Sequence, residues 1–173
     1  MKKLLIIYYS WSCGNTKRIA EMLKDKTNAD IERIDTVVPY KGSYNDVVEQ
    51  GQDEVNRNYK PEIKALVHNL NDYEVIAVGS PTWWYTMTPA VKTFLESNNF
   101  KDKTFIPFTT NGGWPGHAIK DMKKSAKGSI TSNPIQIQFD SNGGDDLITS
   151  ESKINNWIDE VKKLLEIKYE NIK

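Results

Sequence analysis

Two short runs constrain this chain more than anything else in it. Residues 4–9, LLIIYY, and residues 75–79, VIAVG, are almost continuously apolar. Neither alternates with polar residues, so neither has a face to give to water. Strands of this kind must be covered on both sides, as in a parallel sheet packed between helices. The intervening sequence supplies those helices. Ile19, Met22 and Leu23 recur at a helical period, as do Val91, Phe94 and Leu95 behind an N-cap at Thr88 and Pro89 at the first helical position. Ala118, Ile119 and Met122 form a third stripe. Ile154, Trp157, Ile158, Val161, Leu164 and Leu165 form the clearest one. Residues 44–57 are polar but hold only one Gly and no Pro, which predicts a further helix. Residues 56–64 read as its exit.

Three more strands complete the pattern. Residues 104–109, TFIPFT, form one. In residues 135–139, IQIQF, Ile135, Ile137 and Phe139 face one way and two glutamines the other, which predicts a half-solvated edge. Residues 30–35, DIERID, are the candidate for the opposite edge. Five strands alternating with about five helices predict a doubly wound α/β sandwich with right-handed crossovers. Two strand orders suit it, the dinucleotide-binding order and 2-1-3-4-5, and in both a ligand binds beyond the carboxyl ends of the strands. The length, 173 residues, suits one domain over residues 1–173.

Charge and composition exclude several classes. Lys and Arg total 23, Asp and Glu total 23, and the net charge is zero. That argues against a nucleic-acid partner, which calls for a basic stripe, and against a polybasic membrane contact. The apolar runs are too short to span a bilayer. Lys2 and Lys3 precede the first run as in a signal peptide, but Asn15, Lys17 and Arg18 break it too soon. The single cysteine, Cys13, cannot form an internal disulfide, which points to the reducing cytoplasm. His68 and His117 are too few and too scattered to predict a metal centre.

The loops after the first, third and fourth strands carry the chemistry. The first, SWSCGNT (10–16), joins a strand to a helix N-terminus, where free N–H groups and the helix dipole favour an anion. Ser10, Ser12 and Thr16 add hydroxyls, Asn15 an amide, and Gly14 a tight backbone. The plain alternative is an ordinary helix cap. The second, SPTWWYTMTP (80–89), packs Trp83, Trp84 and Tyr85 side by side. Three such rings cannot all face a core, so this loop predicts a flat aromatic ligand, a hydrophobic lid or a dimer patch. The third, TTNGGWPGH (109–117), offers main-chain donors around Asn111, Gly112 and Gly113, with Trp114 able to cover a ligand. No G-x-x-x-x-G-K-[ST] and no G-x-G-x-x-G is present, which removes the two common nucleotide loops. A phosphate at one end and a planar ring system at the other describe flavin mononucleotide, FMN.

The segments YYSWSCGNTKRIAE, VIAVGSPTWWYTMTPAVKTFLE and IPFTTNGGWPG resemble those of flavodoxins, and the likeness runs over essentially the whole chain. The resemblance implies a flavodoxin-like three-layer sandwich with a five-stranded parallel sheet in the order 2-1-3-4-5. It implies that Ser10, Ser12, Cys13, Gly14, Asn15 and Thr16 surround the FMN phosphate. Pro81, Thr82, Trp83 and Trp84 then hold the isoalloxazine ring, with Thr110, Asn111, Gly112 and Gly113 on its polar edge, and Trp83 is the favoured stacking ring. Cys13 is an extra residue in the first loop and must bulge. The implied function is low-potential electron transfer between redox partner proteins. The alternative is an NAD(P)H-dependent FMN or quinone reductase, with a small-molecule acceptor. No general acid or base stands out, so no catalytic residue is assigned, and the chain is expected to be a monomer or homodimer. A remoter alternative is a low-molecular-weight phosphatase with Cys13 as nucleophile, but Cys13 and Arg18 are one residue too close for its C-x-x-x-x-x-R loop.

Overall fold

The computed structural model describes residues 1–167. Strand β1 (Leu4–Tyr8) lies inside the sheet, one place from its edge, and leads into helix α1 (Asn15–Thr27). Then come β2 (Asp30–Arg33), α2 (Tyr44–Asn56), a 3-10 turn at Leu70–Asp72 and the long strand β3 (Val75–Trp83). The chain continues through β4 (Thr86–Met87), α3 (Pro89–Ser97), β5 (Thr104–Asn111) and α4 (Ala118–Ser125). It closes with β6 (Ile130–Thr131), β7 (Ile135–Gln138) and α5 (Glu151–Glu166). Among the described residues no helix is long and apolar enough to cross a membrane.

The parallel sheet runs β2-β1-β3-β5, with β6 and β7 both pairing β5 and β4 pairing β3 antiparallel. The five-position order 2-1-3-4-5 is therefore present in a sheet of seven strands among the described residues. Two local features account for the difference. The outer position is split, β6 against Thr104–Phe105 and β7 against Phe108–Asn111. The carbonyls of Phe105 and Asn111 accept from Ser132 and Phe139 on that outer side. Pro107 has the same parity, so its missing N–H faces the same side, opposite the break at Asn133 and Pro134. The second feature is a hairpin: β3 continues to Trp83 and turns back into β4 where the sequence predicts a loop.

Successive side chains of the buried strands serve two cores. Leu4, Ile6, Tyr8, Ala77, Ile106 and Phe108 meet α1 and α5 on one face. Leu5, Ile7, Ile76, Val78 and Phe105 meet α3 and α4 on the other. A fully buried ring such as Phe94 contributes about 1.5–3 kcal/mol by its removal from water. On β7, Ile135 and Ile137 are buried and Gln136 and Gln138 exposed, as the alternation predicts. Helix ends are set locally. Ser43 and Asp46 form a capping box at α2, and Ser150 caps α5 through Lys153 N. Thr88 precedes α3 without capping it by its side chain; its N–H instead donates to Ser80 Oγ.

The edge strand β2 is fastened by a carboxylate. Glu32 accepts the N–H groups of Val67 and His68 at 2.8 and 2.9 Å, and its Oε1 lies 2.6 Å from His68 Nδ1. Burial raises the Glu32 pKa, but the bonds from His68 and Val67 outweigh it and hold the carboxyl below its ordinary value. A depressed carboxyl adds stability above its unfolded pKa and loses it as pH falls through the folded value. Glu32→Gln should therefore cost about 1–3 kcal/mol at neutral pH. In urea unfolding the gap from the parent protein should close on acidification; a gap independent of pH would refute the assignment.

Candidate functional site

The carboxyl ends of β1, β3, β5 and β7 open onto one cleft of about 340 Å³. At one end is the N-terminus of α1. Ser12 and Gly14 both take left-handed conformations, φ 62° and 75°, which is how the chain absorbs the extra residue. The N-cap residue, Gly14, has no side chain to cap this helix and the first turn contains no acid, so no carboxylate of that turn offsets its positive end, which meets the cleft at Asn15 and Thr16. A Cβ on Gly14 would meet nothing within 4 Å among the described residues. Thr16, fully buried, bonds Thr110 at 2.8 Å and so ties the first loop to the third.

Of the predicted first-loop residues, Ser12, Cys13, Asn15 and Thr16 line the cleft. Ser10 and Gly14 do not. Ser10 is buried; its Oγ accepts Lys17 N–H and its carbonyl accepts from Arg33, which reaches over from the end of β2. In the second loop Pro81, Thr82, Trp83 and Trp84 all line the cleft. In the third, Thr110, Asn111 and Gly112 do and Gly113 does not; Gly113 N–H donates to Asn111 Oδ1, which folds that loop upon itself. Cys13 Sγ donates to the Gly143 carbonyl at 3.3 Å, and Arg18 extends to the Asp145 carbonyl and the Phe139 ring.

The aromatic end is built by the β3–β4 hairpin. Its two-residue turn is Trp84-Tyr85, both at positive φ, 50° and 69°. That conformation normally selects Asn-Gly, so the two rings are placed there against local preference. The turn is held on three sides. Trp84 Nε1 donates to the Val48 carbonyl on α2, His117 N–H donates to the Tyr85 carbonyl, and Thr86 Oγ1 donates to Asp121, which also meets the His117 ring. Trp84 is 39 % exposed, Tyr85 53 % and Trp114 59 %. Trp83 behaves differently. It turns into the wall, edge-on to Tyr40 at 5.1 Å and Tyr9 at 5.9 Å, with Gly51 of α2 against its ring. Behind it Tyr40 donates to Glu54, and burial, then that bond, push the phenol well above its usual pKa.

Two polar atoms in the wall, Asn15 Oδ1 and Thr82 Oγ1, are buried with no partner among the described residues. Buried polar atoms are seldom left unmatched, and both residues belong to the lining of the cleft, between the start of α1 and the large rings.

A family model described as Flavodoxin matches residues 3–161. The chain belongs to the flavodoxin family. A protein of Bacteroides eggerthii DSM 20697, provisionally described as a flavoprotein, is 27% identical with a TM-score of 0.74; the match covers 97% of this chain and 100% of that one. A flavoprotein of Lactobacillus acidophilus NCFM, solved in complex with FMN, has a TM-score of 0.69 at 22% identity, over 91% of this chain and 99% of that one. At that identity the likeness is one of fold. No curated protein matches the chain significantly.

For a member of this family the cleft has parts that the sequence reasoning missed. Val47, Val48 and Gly51 bring α2 to the cleft, and Tyr44 at its start faces Trp11 with centroids 6.1 Å apart. Asp140, Ser141, Gly143 and Gly144 form a further wall. Asn15 Nδ2 donates to Gly144 carbonyl at 2.9 Å. The Asp140 carboxylate accepts N–H bonds from Asp146, Gly144 and Asn142, which hold it below its ordinary pKa. The signal was available: DSNGGDD follows the carboxyl end of the last strand, where the same rule that singled out the other loops applies.

Proposed function

We propose that this flavodoxin binds FMN in the cleft and transfers single electrons at low potential between redox partners. The observation that carries the reading is one cleft with an acid-free helix N-terminus, its N-cap a glycine, at one end and an aromatic wall at the other. The residues fit the group. Thr16, Ser12 and the first N–H groups of α1 would take the phosphate, and Asn15 Oδ1 and Thr82 Oγ1 are acceptors still to be matched. Trp84 and the exposed flank of Trp83 would cover the ring, and main-chain groups at Thr110 to Gly112 would meet its polar edge. FMN supplies the redox chemistry when bound. The chain's own part is to orient the ring and exclude water, and its electron-rich indole faces disfavour added negative charge. The lone thiol fits a reducing compartment, the cytoplasm.

The exposed Tyr85 and Trp114 at the mouth favour one second reading, a flat hydride donor or quinone resting there. The test begins with the visible spectrum of purified protein and the mass of any released chromophore. FMN, and not FAD, is expected. A colourless protein that takes up no flavin would end the proposal, as would FAD as the sole tight ligand. Rapid NAD(P)H oxidation by the loaded protein would move the assignment to the reductase.

A further inference from the structure

One buried acid has no part in holding a ligand. Glu54 on α2 is 3 % exposed. Its Oε1 accepts the Tyr40 hydroxyl at 2.6 Å and its Oε2 accepts Gln50 Nε2 at 2.9 Å. Both donors are neutral, and no cation pairs with it among the described residues. A carboxylate in that position is costly for fold alone. The Tyr40 ring, in turn, stands edge-on to Trp83 at 5.1 Å, and Trp83 lines the cleft. The three residues therefore run in contact from the cleft wall to a proton acceptor, and Gln50 at the far end is exposed to solvent. Tyr9 also touches Trp83, at 5.9 Å, but its hydroxyl has no carboxylate partner among the described residues.

We propose that Trp83, Tyr40 and Glu54 form a radical sink that carries a one-electron vacancy away from the cleft wall. A diffusible radical oxidant takes one electron from the Trp83 indole. Tyr40 then returns an electron to Trp83, its O–H bond breaks, and the proton forms a bond to Glu54 Oε1. The oxidant ends reduced by one electron, Trp83 is restored, Tyr40 is a neutral phenoxyl radical and Glu54 a neutral acid. The carboxylate decides the direction. A phenol that keeps its proton firmly is a poor donor, and it becomes a good one where the proton and the electron can leave together. Tyr40 has such a place for its proton and Tyr9 does not. The use of this path rests on the redox reading of the cleft, which is what brings one-electron vacancies to Trp83; the contacts themselves need no ligand.

The test uses the flavin-free full chain, so that its failure is separate from any failure to bind FMN. Azidyl radicals made by pulse radiolysis oxidise tryptophan, and the optical spectra of tryptophanyl and tyrosyl radicals are followed. Tryptophanyl decay should be matched by first-order tyrosyl growth at a rate independent of protein concentration. Tyr40→Phe, which keeps the ring, should remove most of that growth, and Tyr9→Phe should leave it. Glu54→Gln should slow it by about tenfold or more, the rate equivalent of losing one bond to a charged group. Undiminished growth in Tyr40→Phe overturns the proposal, as does growth that vanishes equally in Tyr9→Phe. Should Glu54→Gln not fold, the two Phe variants decide alone.

Discussion

Gly116→Ala is expected to destabilise the protein by about 2–5 kcal/mol, combining about 1–2 for a left-handed non-glycine residue with about 1–3 for overpacking. Gly116 has φ 54°, and a Cβ there would stand 2.2 Å from the Tyr85 carbonyl oxygen and 2.5 Å from its Cα. That contact is backbone, so no flexible side chain can move aside. The neighbouring residue, His117, also donates its N–H to this same carbonyl. The added methyl must therefore push away a turn whose two aromatic residues already sit at unfavourable φ. Gly14→Ala makes the comparison clean. It has the same backbone handedness, φ 75°, but open space around it. Its loss should stay near the backbone cost of about 1–2 kcal/mol. Urea unfolding of both variants, with Trp fluorescence as readout, measures the difference. Equal losses would show that the turn yields freely to the glycine beneath it.

FMN should bind at least about a hundredfold more tightly than riboflavin, which has the same ring system and no phosphate. Two N–H bonds to a charged group are worth about 1.5–3 kcal/mol each, and every 1.4 kcal/mol is tenfold in affinity. The acid-free end of α1, with Gly14 at its N-cap, is where they would come from. Thr16→Ala should reduce the ratio and weaken FMN, since Thr16 lies at that end and also steadies Thr110. Cys13→Ala should change it little, because the Cys13 thiol is engaged with the Gly143 carbonyl. Fluorescence titration of both flavins against the three proteins is the measurement. A ratio near one in the parent protein would place the phosphate away from this helix.

The fold was legible because burial on two faces leaves a strong mark: LLIIYY and VIAVG allow few alternatives, and the helical stripes between them fix the layers. The alternation in IQIQF likewise marked an edge. The hairpin after Trp83 was not legible. A two-residue turn of that kind is normally announced by Asn and Gly, and here Trp84 and Tyr85 take the conformation because contacts from α2, His117 and Asp121 impose it. Tertiary contacts overrode local preference. The first loop was read as a unit, yet individual members fell differently. Ser10 turned inward because Arg33, distant in sequence, holds its carbonyl. Trp83, the favoured stacking ring, packs largely into Tyr40 and Tyr9, because Gly51 of α2 leaves room for it to do so. Spacing along the chain carries no information about such partners.

The broken outer strand bears on how these molecules behave when crowded together. A sheet edge offers unpaired main-chain groups to any passing chain, and a long flat one acts as a template for fibrils. Here the outermost position is two residues at Ile130–Thr131 and four at Ile135–Gln138. Between them Asn133 turns left-handed and Pro134 has no N–H to give. The far end of the longer piece is already covered, since Gln138 bonds Ile148 and Thr149, and an incoming segment that paired with what remains of either piece would lose its pairing at the kink. Pro107, inside the neighbouring strand, holds that kink in place from beneath, since a straight outer strand would find no donor there. A proline buried in the sheet thus guards its exterior against templated growth.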